Sequence, residues 1–355
     1  MSFSSETGEL WRFVLRQFLP DDVAECRMRP APGGFSGDPV IRIDTADASY
    51  ALRSWPLADW PVARVRERHR WLHCLLRERL PVSAPLRVRS TPETMFIHRE
   101  RLWQLEPWLP GTPASSQTIT SRQRRSCLQQ LARIHQASAM FQASPAGRDW
   151  FQTGWGIAPG VEERRRIIAC WTPLRLQQVR EWSGAFPEEE HFESATANNS
   201  FLQIIDTIRD RFEQHAATVD RELQQAERMM SSLFPCFRDL WSAHVLFQGE
   251  EVAGFIDPTA ARTEHVASDL SRLLGSLYGD DRDCWRAALR DYEQVRPLTE
   301  QDQLLIRIFD RSSVLLSGMT WIERLRTKSV PVSALDDVLS RLQFIAHRSL
   351  EPAWL

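Results

Sequence analysis

Two aspartates and a histidine lie in one mostly apolar stretch, CFRDLWSAHVLFQGEEVAGFIDP, which begins at Cys236. Its segments VLF and VAGFI are typical of two short strands joined by a turn at QGEE. The outer ends of an antiparallel hairpin lie side by side, so Asp239 and Asp257 are predicted to converge, with His244 beside them. Two nearby carboxylates repel each other unless a cation or a shared proton lies between them. The pattern therefore favours a divalent cation such as Mg²⁺, bound together with a phosphate.

Each aspartate taken alone could simply cap a turn, a role that aspartate often fills. The two together, at the ends of one hairpin and downstream of a glycine-rich strand pair, favour a functional site instead. A charged side chain is rarely placed in an apolar stretch without a partner or a chemical role. We therefore interpret the hairpin as the centre of the chemistry.

The composition is that of an ordinary globular protein, with 355 residues, 43% hydrophobic and 25% charged, and a formal net charge of −2. This charge does not favour nucleic acid or a membrane surface as the main partner. The six cysteines form no CxxC pair, which favours free thiols in a reducing compartment. The first residues lack the pattern of a secretory signal, and no apolar run approaches the roughly 18 residues of a membrane helix. A cytoplasmic protein is expected.

The hydrophobic periodicity changes at Gly111, after the sharp stop at Leu109-Pro110-Gly111. Residues 1–110 are rich in strands, and we expect 40–108 to form an antiparallel sheet with a helix at 59–79 packed on it. The near-heptad spacing at 201–232 leaves a coiled-coil dimer open, although packing within the chain is favoured for so short a pattern. The other part, 111–355, is expected to be mainly helical, with the hairpin at 236–258 and a variable insert at 141–230. Its helices are expected at 118–140, 161–182, 201–232, 266–295, 299–324 and 332–348. In the first part, a further helix is expected at 7–19.

Several segments together resemble the aminoglycoside phosphotransferase and choline kinase family. They are the hairpin with Phe237-Arg238-Asp239 and Ile256-Asp257, the pair Asp269-Leu270 in ASDLSRLLGS, the segment LARIHQA with His135, and WQLEPWLPG. The resemblance covers roughly residues 30–111 and 125–280. It implies an α+β, two-lobed protein kinase-like fold, with a small antiparallel-sheet lobe at 1–110 and a large helical lobe at 111–355.

The resemblance also implies roles for individual residues. Asp239 corresponds to the catalytic base toward an acceptor hydroxyl, and Asp257 to the ligand of Mg²⁺ on the nucleotide phosphates. His244 lies where the family has its second metal ligand. The implied ATP-binding residues are Gly33, Gly34, Ser36 and Gly37 in the phosphate loop, Arg53 with Glu67 as its helix partner, and Glu106 and Trp108 in the segment that flanks adenine.

Three residues depart from the family pattern. Arg53 replaces a lysine, and a guanidinium can pair with phosphate in a bidentate way; the chain's only lysine is Lys328. Phe237 replaces a histidine whose role is mainly structural. His244 replaces an asparagine, and imidazole suits Mn²⁺ or Zn²⁺ better than Mg²⁺.

The sequence thus predicts an ATP-dependent phosphotransferase that uses Mg²⁺ or Mn²⁺ and phosphorylates a small molecule bearing a hydroxyl or an amine. The three departures leave open an alternative, a pseudokinase that binds nucleotide or a partner without catalysis. A protein kinase-like enzyme is disfavoured, because no activation segment is evident between Asp257 and Asp269.

Overall fold

The computed structural model describes residues 5–19, 26–31, 40–115, 118–184, 195–327 and 335–351. The chain divides into two compact units, each built from several segments. The first unit comprises Met1–Gly154, Phe234–Thr263 and Ala288–Pro297, and the second comprises Trp155–Leu233, Glu264–Ala287 and Leu298–Leu355.

The first unit contains a five-stranded antiparallel sheet, as the alternating pattern of residues 40–108 predicts. One of its strands has no counterpart in the prediction, because the sequence RMRP shows no apolar alternation. The strand order is β1-β2-β3-β5-β4, with β1 at Arg27–Pro30, β2 at Val40–Asp44, β3 at Ser49–Pro56, β4 at Phe96–His98 and β5 at Arg101–Pro107.

The two faces of this sheet differ in chemistry, because successive side chains of a strand point to opposite sides. On one face Ile41, Leu52 and Leu105 are paired across neighbouring strands and join a core with Trp11 and Val14 of helix α1 (Ser5–Leu15). The other face carries polar groups, namely Arg53 opposite Gln104, with Glu106 two residues further along β5.

Helix α2 (Val62–Arg77) lies on the polar face, as the sequence predicts for residues 59–79. Val65 packs with Trp55 and Leu102 in a small apolar cluster. His69 shares a hydrogen bond with Gln104 at 2.8 Å. The polar face of the sheet is therefore buried beneath a helix that must supply polar partners.

A smaller sheet holds the hairpin in the first unit, with order β10-β9-β6. The backbone at Gly111 has φ +110°, and a Cβ there would lie 2.5 Å from the carbonyl oxygen of Phe247. Only glycine suits this close approach, which explains the turn at Leu109-Pro110-Gly111. The strands are β6 at Thr112–Pro113, β9 at Val245–Gln248 and β10 at Glu251–Phe255, and helix α3 follows β6 at Ser121–Ala139.

The second unit is mainly helical, and its long α6 packs against α4, α9 and α10. The single helix expected at 161–182 is two helices, because Pro173 starts a new one. The helix expected at 201–232 ends at Ala226, since a short apolar run does not distinguish a helix from the strand that follows. The bounds are α4 Pro159–Cys170, α5 Pro173–Gly184, α6 Ala195–Ala226, α7 Ala267–Tyr278, α9 Glu300–Arg326 and α10 Leu335–His347.

Four further elements lie where the chain passes from one unit to the other. They are β7 at Gly154–Gly156, β8 at Ser231–Cys236, β11 at Arg262–Glu264 and α8 at Arg282–Glu293.

None of the helices in the described part of the chain is long and apolar enough to cross a membrane.

Candidate active site

The hairpin brings His244 and Asp257 together, as the sequence predicts. Strands β9 and β10 pair antiparallel, and beyond them the amide of Ile256 donates to the carbonyl of His244 at 2.9 Å. This last bond sets the next residue, Asp257, beside His244, with 3.8 Å between Nε2 and Oδ2.

Asp239 and Asp257 both border one cavity of about 450 Å³ in the first unit. Asp239 is exposed, and its backbone carbonyl accepts a hydrogen bond from Nδ1 of His244 at 2.9 Å. Arg53 and Arg64 line the same cavity. Two carboxylates and two guanidinium groups therefore border one cavity.

Two residues of this region have the left-handed backbone conformation that side chains other than glycine rarely adopt. Arg238 has φ +67° and Asp257 has φ +57°. Such conformations cost on the order of 1–3 kcal/mol each and concentrate at functional sites. Aspartate tolerates this region better than arginine does. The backbone on both sides of the hairpin is thus held in an uncommon conformation, and Asp257 and the residue after Arg238, Asp239, line the cavity.

Hydrogen bonds define the protonation of His244. Its Nδ1 faces a carbonyl oxygen, which can only accept, so Nδ1 carries a proton. Its Nε2 accepts from the indole N–H of Trp241 at 2.9 Å, so Nε2 carries none. These two hydrogen bonds correspond to a neutral ring with its proton on Nδ1, whereas the Asp257 carboxylate, 3.8 Å from Nε2, favours the protonated ring.

Arg53 links two carboxylates in the first unit. Its Nε donates to Glu106 Oε1 at 2.9 Å and its Nη1 to Asp257 Oδ1 at 3.2 Å. Burial favours the neutral form of Arg53, but the charges of Glu106 and Asp257 outweigh it and raise the pKa of Arg53. Burial would likewise raise the pKa of Asp257, but the charge of Arg53, a positive charge on His244 and a hydrogen bond from the Thr259 hydroxyl hold that pKa below its ordinary value. Asp257 is therefore ionised at neutral pH.

The expected pairing of Arg53 with Glu67 is wrong. Glu67 is buried on another side of α2, where it accepts from the amide of Ser144 at 2.8 Å and from its hydroxyl at 2.6 Å, and it pairs with Arg70. Successive helical residues point about 100° apart, so the next residue, Arg68, faces the sheet instead and donates to Gln104 at 3.3 Å. Glu106, on the strand, supplies the anion that was expected from the helix.

The other predicted nucleotide-binding residues are Glu106 and Trp108 in the adenine segment and the four residues of the phosphate loop. The side chain of Glu106 is turned toward Arg53, and the ring of Trp108 lies under the guanidinium of Arg42 at 4.7 Å. Their contacts with adenine remain predictions. The predicted phosphate loop, Gly33, Gly34, Ser36 and Gly37, lies outside the described residues.

Two residues near the hairpin have structural roles. Phe237 is buried, with its ring 5.3 Å from that of Trp71 and 5.9 Å from that of Phe255. His135, also buried, hydrogen-bonds through Nδ1 with the hydroxyl of Tyr292 at 2.7 Å. Replacement of the family's histidine by Phe237 therefore fills the space with an apolar contact.

Three residues of the cavity had no signal in the sequence motifs. Thr259 donates its hydroxyl to Asp257, and Trp60 and Arg64 border the same space. Of the three, only Arg64 could have been indicated by the sequence, because its four-residue spacing from Arg68 places both arginines on one face of α2.

The donor set suits a divalent cation. Asp257 Oδ2 and His244 Nε2 are close enough to face one ion, and a neutral imidazole nitrogen is the form that binds metal. The mixed oxygen and nitrogen donors favour Mn²⁺ more than an all-oxygen site would. Trp241 and Arg53 compete for these donor groups, which weakens the attraction for a cation.

Comparison with known proteins defines the class of this chain. The model of the phosphotransferase enzyme family (APH) matches residues 27–304, and the chain belongs to this family. No curated protein sequence matches the chain.

Solved structures share the fold at low sequence identity. Spectinomycin phosphotransferase APH(9)-Ia, in complex with ADP and spectinomycin, aligns with a TM-score of 0.65 and 11% identity, covering 94% of this chain and 93% of its own. The amicoumacin kinase hAmiN, in complex with AMP-PNP, Ca²⁺ and Ami, gives a TM-score of 0.63 and 12% identity, covering 97% of this chain and 93% of its own. A microcompartment-associated aminopropanol kinase gives 0.59 and 12%, covering 96% and 95%. The predicted α+β, kinase-like fold is confirmed.

Proposed function

We propose that this protein transfers the terminal phosphate of ATP to a hydroxyl group of a small molecule, with Mg²⁺ or Mn²⁺ as the cofactor. The observation that carries the proposal is that Asp239, Asp257 and Arg53 border one cavity, in a chain that belongs to the phosphotransferase enzyme family. Phosphoryl transfer needs little beyond this, because positioning and charge neutralisation supply most of its catalysis.

Asp239 is the residue suited to the acceptor. It is exposed at the cavity, and a carboxylate there orients the hydroxyl and accepts its proton as the new oxygen–phosphorus bond forms. The bond between the terminal phosphorus and its bridging oxygen breaks, and ADP leaves with the electron pair. A hydrogen bond from His244 to the backbone of Asp239 fixes the loop that presents this carboxylate.

Asp257 and Arg53 are suited to the phosphates. A divalent cation held by Asp257 and His244 would neutralise charge on the phosphate oxygens. Arg53 reaches the same cavity, and its guanidinium can contact two oxygens of a phosphate at once. Its bond to Glu106, which is buried, keeps Arg53 directed to this side of the sheet.

The proposed acceptor is a small molecule that bears a hydroxyl group. Acceptors that also carry an amine near this hydroxyl belong to the proposed class. The similar structures include a spectinomycin phosphotransferase, an amicoumacin kinase and an aminopropanol kinase. These proteins are 11–12% identical to the chain, so they support a class of acceptor and no particular compound.

The proposal is tested by measuring ADP formation with a panel of amino alcohols and aminoglycosides. Asp239→Asn should lower the rate with the best acceptor by about 10²–10⁴-fold, since it removes the base but keeps the side-chain shape. The affinity for ATP should stay within about threefold, because Asp239 contacts the acceptor. Asp283→Asn, at an aspartate that is 94% exposed, is the matched control and should leave the rate unchanged. Equal rates for Asp239→Asn and the native protein would contradict the role of Asp239.

A second function, nucleotide binding without transfer, is favoured by one observation. The lone pair of His244 Nε2 already accepts from Trp241, and Asp257 Oδ1 already accepts from Arg53 and Thr259. If the native protein binds ATP but forms no ADP with any acceptor or metal, this second function replaces the first.

A further inference from the structure

Helix α2 directs two arginines at the segment that follows Asp257. Arg64 and Arg68 are four residues apart and therefore share a helix face. Both donate to the carbonyl of Thr259, Arg64 through Nη2 at 3.5 Å and Arg68 through Nη1 at 3.4 Å. Arg66, between them, points elsewhere and pairs with Glu93 at 3.1 Å.

The two arginines have different surroundings. Arg68 is buried and also donates to Gln104, so it belongs to the polar layer between α2 and the sheet. Arg64 instead lines the cavity with Asp239 and Asp257, and its guanidinium lies 5.2 Å from the centre of the Trp60 ring. This cation–π contact favours a guanidinium held over the Trp60 ring.

Arg64 has no anionic partner in the part of the chain that the structure describes. Within those residues, its one hydrogen-bond acceptor is the carbonyl of Thr259, at the long distance of 3.5 Å. Its Nε is buried without a hydrogen bond. Burial, together with the charges of Arg262 and Arg238, lowers the pKa of Arg64. It also lies in the first turn of α2, which contains no acidic residue and where the helix dipole disfavours a cation. Each of these terms would be offset by an anion bound in the cavity.

We infer that Arg64 is a phosphate-binding residue, whose guanidinium contacts the terminal phosphate of a nucleoside triphosphate bound in this cavity. The inference rests on the proposed function and adds a group from α2 to it. The terminal phosphate is the portion that must lie near Asp239, and Arg64 borders the same cavity as Asp239. A planar guanidinium with unfilled donors matches two oxygens of a phosphate.

The test compares the affinities of three nucleotides for variants at Arg64 and at Arg66. Isothermal titration calorimetry measures AMP-PNP, ADP and AMP, at fixed ionic strength and metal concentration, with Arg64→Ala and with Arg66→Ala. The control variant loses the same charge from the same helix, outside the cavity. Arg64→Ala should bind AMP-PNP at least 10-fold more weakly and AMP within twofold of the native protein. Arg66→Ala should bind all three within twofold, and Arg64→Lys should recover part of the affinity for AMP-PNP.

Two results overturn the inference alone: native affinity for AMP-PNP in Arg64→Ala, or an equal loss for AMP and AMP-PNP. If Arg64→Ala is shown by circular dichroism to be unfolded, Arg64→Gln, which keeps much of the side-chain stem, replaces it under the same criteria. If the native protein binds none of the three nucleotides, the proposed function fails and the inference fails with it.

Discussion

Two networks of charged side chains, one in each unit, each centre on an arginine of low exposure and are built from the same residue types. In the first unit, Arg53 pairs with Glu106 at 2.9 Å and with Asp257 at 3.2 Å. In the second unit, Arg348 pairs with Asp310 at 2.7 Å and with Asp280 at 2.9 Å. Each network joins one arginine to two carboxylates.

Their difference lies in what the carboxylates face. Arg348 donates from Nε, Nη1 and Nη2, the last two to the Gly275 carbonyl and to Asp310, and its side chain is 6% exposed. Asp257 is 32% exposed and borders a cavity, whereas Asp280, although 39% exposed, also accepts from the amide of Ser349 at 2.7 Å. A network with all its donors engaged fixes a structure, whereas one with a carboxylate at a cavity can exchange partners for a ligand. The comparison assigns a structural role to Arg348 and a functional role to Asp257.

The largest expected effect on stability is at Arg348. Arg348→Ala leaves Asp310 buried without a cation, so the free energy of unfolding should fall by about 3–5 kcal/mol. Urea denaturation followed by circular dichroism measures it. Arg286→Ala removes a surface pair with Asp283 and should change stability by about 0.5 kcal/mol or less. If the free energy of unfolding changes by a similar amount in Arg348→Ala and Arg286→Ala, the Arg348 network is no more stabilising than a surface pair.

A smaller effect is expected at Asp302, the N3 residue of the α9 capping box, which accepts from the Thr299 amide at 2.8 Å and from His265 Nε2 at 2.7 Å. Asp302→Ala removes these two bonds but keeps the N-cap Thr299, and should lower the free energy of unfolding by about 1–3 kcal/mol. Thermal and urea unfolding at pH 7 measure the loss. A stability equal to that of the native protein would show that the two bonds accepted by Asp302 contribute nothing.

The pH dependence of stability is a separate test of Asp302. Burial alone would raise the pKa of Asp302, but hydrogen bonds from His265 and the Thr299 amide hold it at about 2. A carboxyl with a lowered pKa stabilises the fold above its unfolded pKa of 3.8, and this contribution is lost as the pH falls toward 2. Asp302→Asn should show a weaker loss of stability between about pH 4 and pH 2. An identical pH profile would contradict the assignment.

The smallest effect is expected at His244. Asparagine offers an oxygen donor, which Mg²⁺ prefers to imidazole, so His244→Asn should raise the rate with Mg²⁺ relative to Mn²⁺ by a few-fold. ADP formation with each metal at equal concentration measures the ratio. Trp241→Phe, which removes the indole donor to His244, is the companion variant and should strengthen Mn²⁺ binding. A ratio unchanged by His244→Asn would mean that this residue does not contact the metal.

The sequence predicted the antiparallel sheet, helix α2 and the hairpin, because each follows from a local hydrophobic period or a turn. It also predicted that Asp257 and His244 converge, since a hairpin fixes which residues meet. The partner of Arg53 could not be obtained in this way. A rotation of α2 by one residue decides whether Glu67 or Arg68 faces the sheet, and that rotation depends on the packing of Val65 and Trp71 rather than on any motif. Arg64 was missed for the same reason.

Nucleotide binding by Asp257→Asn tests the central claim most directly. Isothermal titration of ATP with Mg²⁺ and with Mn²⁺ compares this variant with the native protein, and urea denaturation checks its stability. We expect the affinity for the metal–ATP complex to fall by about 100-fold or more, while stability changes by about 1 kcal/mol or less, because Arg53 keeps Glu106. An affinity equal to that of the native protein, or a loss of stability like that of Arg348→Ala, would contradict the functional role assigned to the first network.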